Sequence, residues 1–243
     1  MNTIQDKIAK KFFLASICIL CTAFFLFAGD VAEFKDLGFS EDGTKYSFAQ
    51  YGIEDKTFQA WAEIYVVDIP SNNFVKNGVF STKASVQTAS KTSMTVFQEL
   101  YDKNKAFIER YAKKRASIDK TLYIRANESK DAGEIIRFKD YEKITSQDDV
   151  TYSLQRIIHK TGSGEKTESS FYINLEKIDA NGVVIATQLI GTPQLKRKGV
   201  LDYTIERVFV DESGKNLVII VEKKIYDPRG SSIRYMVEAA ELK

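Results

Sequence analysis

One ten-residue pattern occurs twice, once near each end of the chain. Phe39-Ser40-Glu41-Asp42-Gly43-Thr44-Lys45-Tyr46-Ser47-Phe48 and Val210-Asp211-Glu212-Ser213-Gly214-Lys215-Asn216-Leu217-Val218-Ile219 share an apolar start, a polar turn closed by glycine, and then alternating apolar positions. A further strand follows at nearly the same distance, Tyr65 lying 22 residues after Gly43 and Tyr235 lying 21 after Gly214. Two copies of a strand-turn-strand-loop-strand unit commit both ends of the chain to antiparallel sheet. Gly43 and Gly214 are therefore expected in equivalent turns at positive φ, which glycine enters without steric cost.

Most of the intervening chain also reads as strand. Ala62 to Ile69, Thr121 to Arg125, Glu134 to Lys139, Val150 to Lys160, Ser170 to Ile178, Val183 to Ile190, Tyr203 to Val210, Leu217 to Glu222 and Ile233 to Ala240 are rich in β-branched and aromatic residues between turn signals. Asp179-Ala180-Asn181-Gly182 predicts a tight hairpin of the Asn-Gly kind. Only one stretch has helical periodicity: Val96, Phe97, Leu100, Tyr101, Phe107, Ile108, Tyr111 and Ala112 share a face of a helix over about Met94 to Ala116. Ser93 is its expected cap, and Lys113, Lys114 and Arg115 suit its carbonyl end. The expected fold is mainly β, with propeller-like or stacked antiparallel sheets and one long amphipathic helix. Polar Ser81 to Ser93 reads as a connection within a single domain over residues 29–243.

The repeated unit resembles a blade of the TolB-type and WD-type β-propellers, through Phe39, Ser40, Asp42, Gly43, Ile64, Tyr65, Val66 and Asp68, with Glu41 where those blades carry proline. A closed ring needs four to eight four-stranded blades, so the resemblance implies an incomplete or degenerate propeller. The string Leu37-Gly38-Phe39-Ser40, Asp42-Gly43, Phe48, Tyr51-Gly52, Asp55 and Ala62 to Asp68 is also similar to a family of predicted secreted bacterial proteins of unknown function. That resemblance implies export and names no catalytic residue.

Export is also written in the first 28 residues. Lys7, Lys10 and Lys11 precede an uncharged run from Phe12 to Ala28, and small residues, Ala28 and Gly29, stand at its exit. This is the pattern of a cleaved secretory signal; the alternative is an uncleaved anchor, since 17 apolar residues lie at the short edge of what spans a bilayer. The expected location is periplasmic or secreted, with membrane contact only through this segment if it is kept.

Both cysteines, Cys18 and Cys21, lie inside the run, so residues 29–243 hold no thiol for a disulfide, a metal site or catalysis. Those residues carry 32 basic and 32 acidic side chains, from totals of 35 and 33 less Lys7, Lys10, Lys11 and Asp6. A neutral surface argues against nucleic-acid binding.

Candidate chemistry is sparse, and no cofactor or metal is expected. The lone His159 alternates with Thr151, Ser153 and Gln155 and reads as a surface residue without a catalytic partner. Gly162 to Thr167 has the composition of a phosphate loop, but it joins two strands where such a loop must open a helix. Glu54 with Asp55, Asp148 with Asp149 and Asp211 with Glu212 lack the spacing of a calcium loop. Tyr51, Trp61 and Tyr65 are the nearest aromatic cluster and the expected ligand-binding residues. The chain therefore reads as an exported, non-enzymatic binding module that takes an envelope protein or glycan. The alternative is an envelope hydrolase working through paired carboxylates.

Overall fold

Asp42 and Asp211 build the two glycine turns. In a computed structural model that describes residues 29–113, 120–125, 135–139 and 150–243, Asp42 accepts hydrogen bonds from Ser40 Oγ (2.6 Å) and Thr44 N (3.0 Å). Asp211 accepts from Ser213 Oγ (2.7 Å), Lys215 N (3.0 Å) and Asn216 N (2.9 Å). The backbone closes identically, with Gly43 N donating to Ser40 O and Gly214 N to Asp211 O. Gly43 has φ +71° and Gly214 φ +64°, the equivalent positive-φ turns the repeat requires.

The turns join β1 (Glu33–Phe39) to β2 (Lys45–Ile53) and β11 (Val200–Val210) to β12 (Asn216–Asp227). The match stops there. Phe48 and Ile219 each lie five residues past the turn glycine, but Phe48 pairs with Tyr65 of β3 (Ala60–Asp68), whereas Ile219 pairs with Glu238 of β13 (Gly230–Glu241). Tyr235 pairs with Glu222, three pairs further along. The sequence distance is kept while the register is not, because β12 runs further before it turns and its hairpin loop is shorter than that after β2.

Strands β1 to β3 and β4 (Asn73–Thr82) form an antiparallel meander. A central sheet has the order β13-β12-β11-β5, with β5 at Thr121–Ile124. An outer sheet contains β6 (Ile135–Lys139), β7 (Thr151–Thr161), β8 (Glu168–Ile178), β9 (Val184–Gly191) and β10 (Arg197–Lys198). All three sheets are antiparallel and none is closed; the propeller character expected from the resemblance is not confirmed. The central sheet is covered on both faces. Leu217, Ile219 and Val221 pack with Leu154, Phe171 and Ile173 of the outer sheet, while Val218 and Ile220 pack with Tyr46, Phe48 and Val67 of the meander. This explains why Leu217 to Val221 is an unbroken apolar run where a one-sided strand would alternate.

The helix α1 (Ser93–Tyr111) covers the meander's other face. Val96, Phe97, Leu100 and Ile108 bury against Ala49, Ala60, Ala62 and Ile64, each worth about 2 kcal/mol of transfer free energy. Alanines on the sheet let the helix approach. Its cap is Thr92, whose Oγ1 accepts from Thr95 N at 3.1 Å, one residue before the expected Ser93. It ends before the basic triplet: Lys113 lies beyond it and donates its backbone N to Phe39 O, and Lys114 and Arg115 lie outside the described residues.

Two further expectations need correction. At the Asp179–Gly182 hairpin only Gly182 is at positive φ (+81°); the Asp179 carboxylate takes Asn181 N and Val183 N, so a side chain organises the loop where a two-residue Asn-Gly turn was expected. Strand β4 was not foreseen, because Asn73, Lys76, Asn77 and Gly78 break the alternation and Asn77 sits at φ +59°. The proposed leader, residues 1–28, lies outside the described residues.

Candidate functional site

The central sheet ends in β13, and a cleft of about 510 Å³ runs along that edge. One wall comes from the meander (Phe48, Tyr65, Phe74), the other from the link between β9 and β10 (Thr192, Leu195), and Arg197 of β10 stands beside it. Phe74 and Leu195 are each about half exposed, 50% and 49%. Phe74 stacks on Tyr65 at 5.2 Å and Tyr65 on Phe48 at 4.9 Å, so the aromatic wall is continuous.

Two amide side chains fix the meander against β13. Gln50 donates its Nε2 to Glu63 (2.9 Å) and accepts at Oε1 from Tyr235 N (2.7 Å). Tyr65 Oη also donates to Glu63 (2.6 Å); burial, then this bond, pushes the phenol well above its ordinary range. Asn72 sits at φ +48°, a conformation asparagine tolerates better than most residues. Its side chain reaches across the sheet edge, accepting from Ala239 N (2.8 Å) and donating to Glu238 (2.5 Å).

The far end of the cleft is charged. Glu238 is 4% exposed; burial raises its carboxyl pKa against the opposing pull of Asn72 and Arg197, whose Nη2 is 4.0 Å away. Burial also lowers the ammonium pKa of Lys223, and Arg197 lowers it further, against the opposing pull of Glu63. Arg197 Nη1 is shut off from solvent and meets no acceptor among the described residues. A buried guanidinium donor left unmade costs more than the roughly 1 to 3 kcal/mol of a neutral one. The unmatched Arg197 donor suits an anionic group on a ligand.

The three expected binding residues are not brought together. Tyr51 faces α1, stacked on Phe97 at 5.0 Å. Trp61 is 7% exposed on the opposite face, donating Nε1 to Asp30 (3.1 Å) beneath the Arg234 guanidinium, 4.1 Å from its ring. Of the three, Tyr65 alone lines the cleft. Sequence reading missed Arg197, Lys223, Glu238 and Asn72, which come from four separate elements.

The other candidates are structurally accounted for. His159 is exposed on β7 and stacks on Tyr172 at 5.8 Å. Gly164–Lys166 is a short 3-10 turn in the connection between β7 and β8, as the hairpin reading requires. Asp55 pairs with Arg229 at 3.0 Å, Asp211 holds its turn, and Asp148 and Asp149 lie outside the described residues. Among the described residues no cluster of potential metal ligands occurs, and no helix is long and apolar enough to cross a membrane.

One acid pair was overlooked. Glu206, at a bulge in β11, and Glu222 of β12 share Arg125, which is 3.1 Å from Glu222 and paired also with Glu206. Burial, and then the hydrogen bond to Glu206, raises Glu222 to about 7. A carboxyl whose folded pKa is raised contributes stability below its unfolded value, near 4.5, and loses it as pH climbs through about 7. Glu222→Gln imitates the protonated acid. It should match the wild type in urea denaturation at pH 5 and exceed it at pH 8 by on the order of 2 kcal/mol; a difference that does not change between the two pH values would show that the pair shares no proton.

No curated protein and no solved structure matches the chain. A family model described as "Predicted secreted protein (DUF2259)" matches residues 47–241, a span that takes in every residue of the cleft, and by that match the chain belongs to this secreted family.

Proposed function

We propose that the protein is an exported, non-enzymatic binding module of the cell envelope, periplasmic or secreted, whose ligand occupies the cleft along β13. The observation that carries this reading is the buried, unpartnered Arg197 Nη1 in a cleft whose opposite wall is aromatic and partly exposed. Interiors seldom leave such a donor unmatched, and an anionic ligand would complete it. A cavity of this size is also within the range of about 300 to 1,000 Å³ typical of ligand sites. The partner would be an envelope protein or glycan. The hydrolase alternative has Glu206 and Glu222 to draw on, but Arg125 closes that pair and neither acid lines the cleft.

The test is affinity capture of envelope proteins and glycans on the purified exported protein, repeated with Arg197→Ala. A ligand of the cleft should be retained by the wild type and weakened about tenfold or more in the variant, the usual cost of removing a charge-assisted contact. Capture that is indifferent to Arg197 would overturn the assignment of the cleft.

A further inference from the structure

Every second residue of β13 turns its backbone N–H and C=O away from β12, and the outward N–H groups of Ile233, Tyr235 and Ala239 are already occupied. Ile233 N donates to Asp30 O (2.8 Å) and Ile233 O accepts from Ala32 N (3.1 Å). Tyr235 N is taken by Gln50 Oε1 and Ala239 N by Asn72 Oδ1. The β12–β13 register has no bulge, so Val237 is the next outward residue between those two. Among the described residues no donor or acceptor meets its outward groups, and it lines the cleft. Gln50 and Asn72 thus stand where the ends of a neighbouring strand would be, leaving an opening of one short strand between them.

We propose that this opening takes an extended peptide as an added strand on β13, with an acidic side chain of the peptide on Arg197 and Lys223. The inference rests on reading the cleft as the ligand site and specifies its occupant. Main-chain bonds to Val237 supply register, and side chains alternating to either side meet the Phe74 wall and the cationic end. The free donor selects an acid: Glu238 is engaged by Asn72 and lies near Arg197 Nη2, while Arg197 Nη1 has no acceptor among the described residues. A glycan would stack on the aromatic wall but has no repeating main-chain pattern to set register on Val237. The two amide caps also keep the edge too short for indiscriminate pairing between sheets.

The experiment selects short random peptides on the purified exported protein and examines the enriched binder. Expected are alternating apolar residues with one Asp or Glu, slowed exchange of the Val237 amide on binding, and about tenfold or greater weakening when the peptide's alternate amides are N-methylated. Val237→Pro removes the outward donor without touching the β12 ladder, so it should fold and lose the peptide to a similar degree. If it fails to fold, the N-methylated peptide on the wild type answers the same question. No enriched peptide, or a binder indifferent to both changes, overturns strand addition. Envelope glycan fragments run beside the peptides separate the two claims: a glycan lost in Arg197→Ala but kept in Val237→Pro leaves the cleft as a binding site with a different occupant, whereas no Arg197-dependent ligand of either kind removes the functional reading itself.

Discussion

Gly43→Ala should destabilise the protein by about 3 kcal/mol, about 2 kcal/mol beyond the backbone strain that Gly214→Ala shares. Both residues sit at positive φ, where a β-carbon adds roughly 1 kcal/mol. The difference lies in what Gly43 faces. A β-carbon there would collide with the Asp211 carboxylate, so the first turn packs directly on the second. Asp211 cannot swing away, since Ser213, Lys215 and Asn216 all donate to it and it is 4% exposed. Burial alone would raise its pKa, but those bonds hold it below the ordinary carboxylate range. For a chain of this size each kcal/mol moves Tm by about 2 to 4 °C, giving roughly 6 to 12 °C for Gly43→Ala, of which about 2 to 4 °C is backbone strain. Asparagine separates the two causes, because it tolerates positive φ yet still carries a β-carbon. Gly43→Asn should therefore recover the backbone part and keep the loss from the collision with Asp211. A Gly43→Asn variant as stable as the wild type in calorimetry would show that the turns do not touch.

That contact accounts for what the sequence could and could not disclose. The repeat is local, so the Gly43 and Gly214 turns were legible from composition and spacing, as was α1 from its three- and four-residue period. The register beyond the turns was not. Tyr65 and Tyr235 sit at nearly equal sequence distance from their glycines, but strand pairing is set by where each hairpin turns back, and β12 extends to Asp227 where β2 stops at Ile53. The three aromatics are not gathered together for a related reason: Trp61 and Tyr65 share a face of β3, but Tyr51 pairs with Ala62 and so joins the face under α1. The Glu206 and Glu222 pair was within reach, since counting outward from the Gly214 turn brings them almost opposite; the bulge that lets both reach Arg125 leaves no mark in the sequence. Arg197, Lys223 and Asn72 had no common signal at all. They meet only because three sheets stack around the β13 edge.

The same stacking makes residue Asp30 a structural anchor. Asp30→Ala should cost about 3 to 5 kcal/mol, the range for stripping one partner from a buried ion pair. Asp30 is 6% exposed, and its Oδ2 accepts from both Trp61 Nε1 and Arg234 Nη2. Its backbone oxygen takes Ile233 N and Arg234 Nη1 as well, so the segment from Gly29 to Ala32 is stitched to the start of β13. Alanine leaves the indole N–H and Arg234 Nη2 without their shared acceptor, while Nη1, still held by the Asp30 and Ile233 backbone oxygens, keeps Arg234 over the Trp61 ring. Replacing both partners by apolar residues is expected to cost less than replacing one, because no charge is then left buried. Trp61 is the only tryptophan in the chain and lies in the pair, so its emission in urea reports the loss directly. The measurement is a double-mutant cycle with Asp30→Ala, Arg234→Met and the combination. Asp30→Ala should be the least stable of the three, with the double variant recovering at least 1 kcal/mol of the loss. Simple additivity of the two single substitutions would mean that Asp30 and Arg234 do not depend on each other, and that the anchoring of this segment comes from its backbone bonds to Ile233 alone.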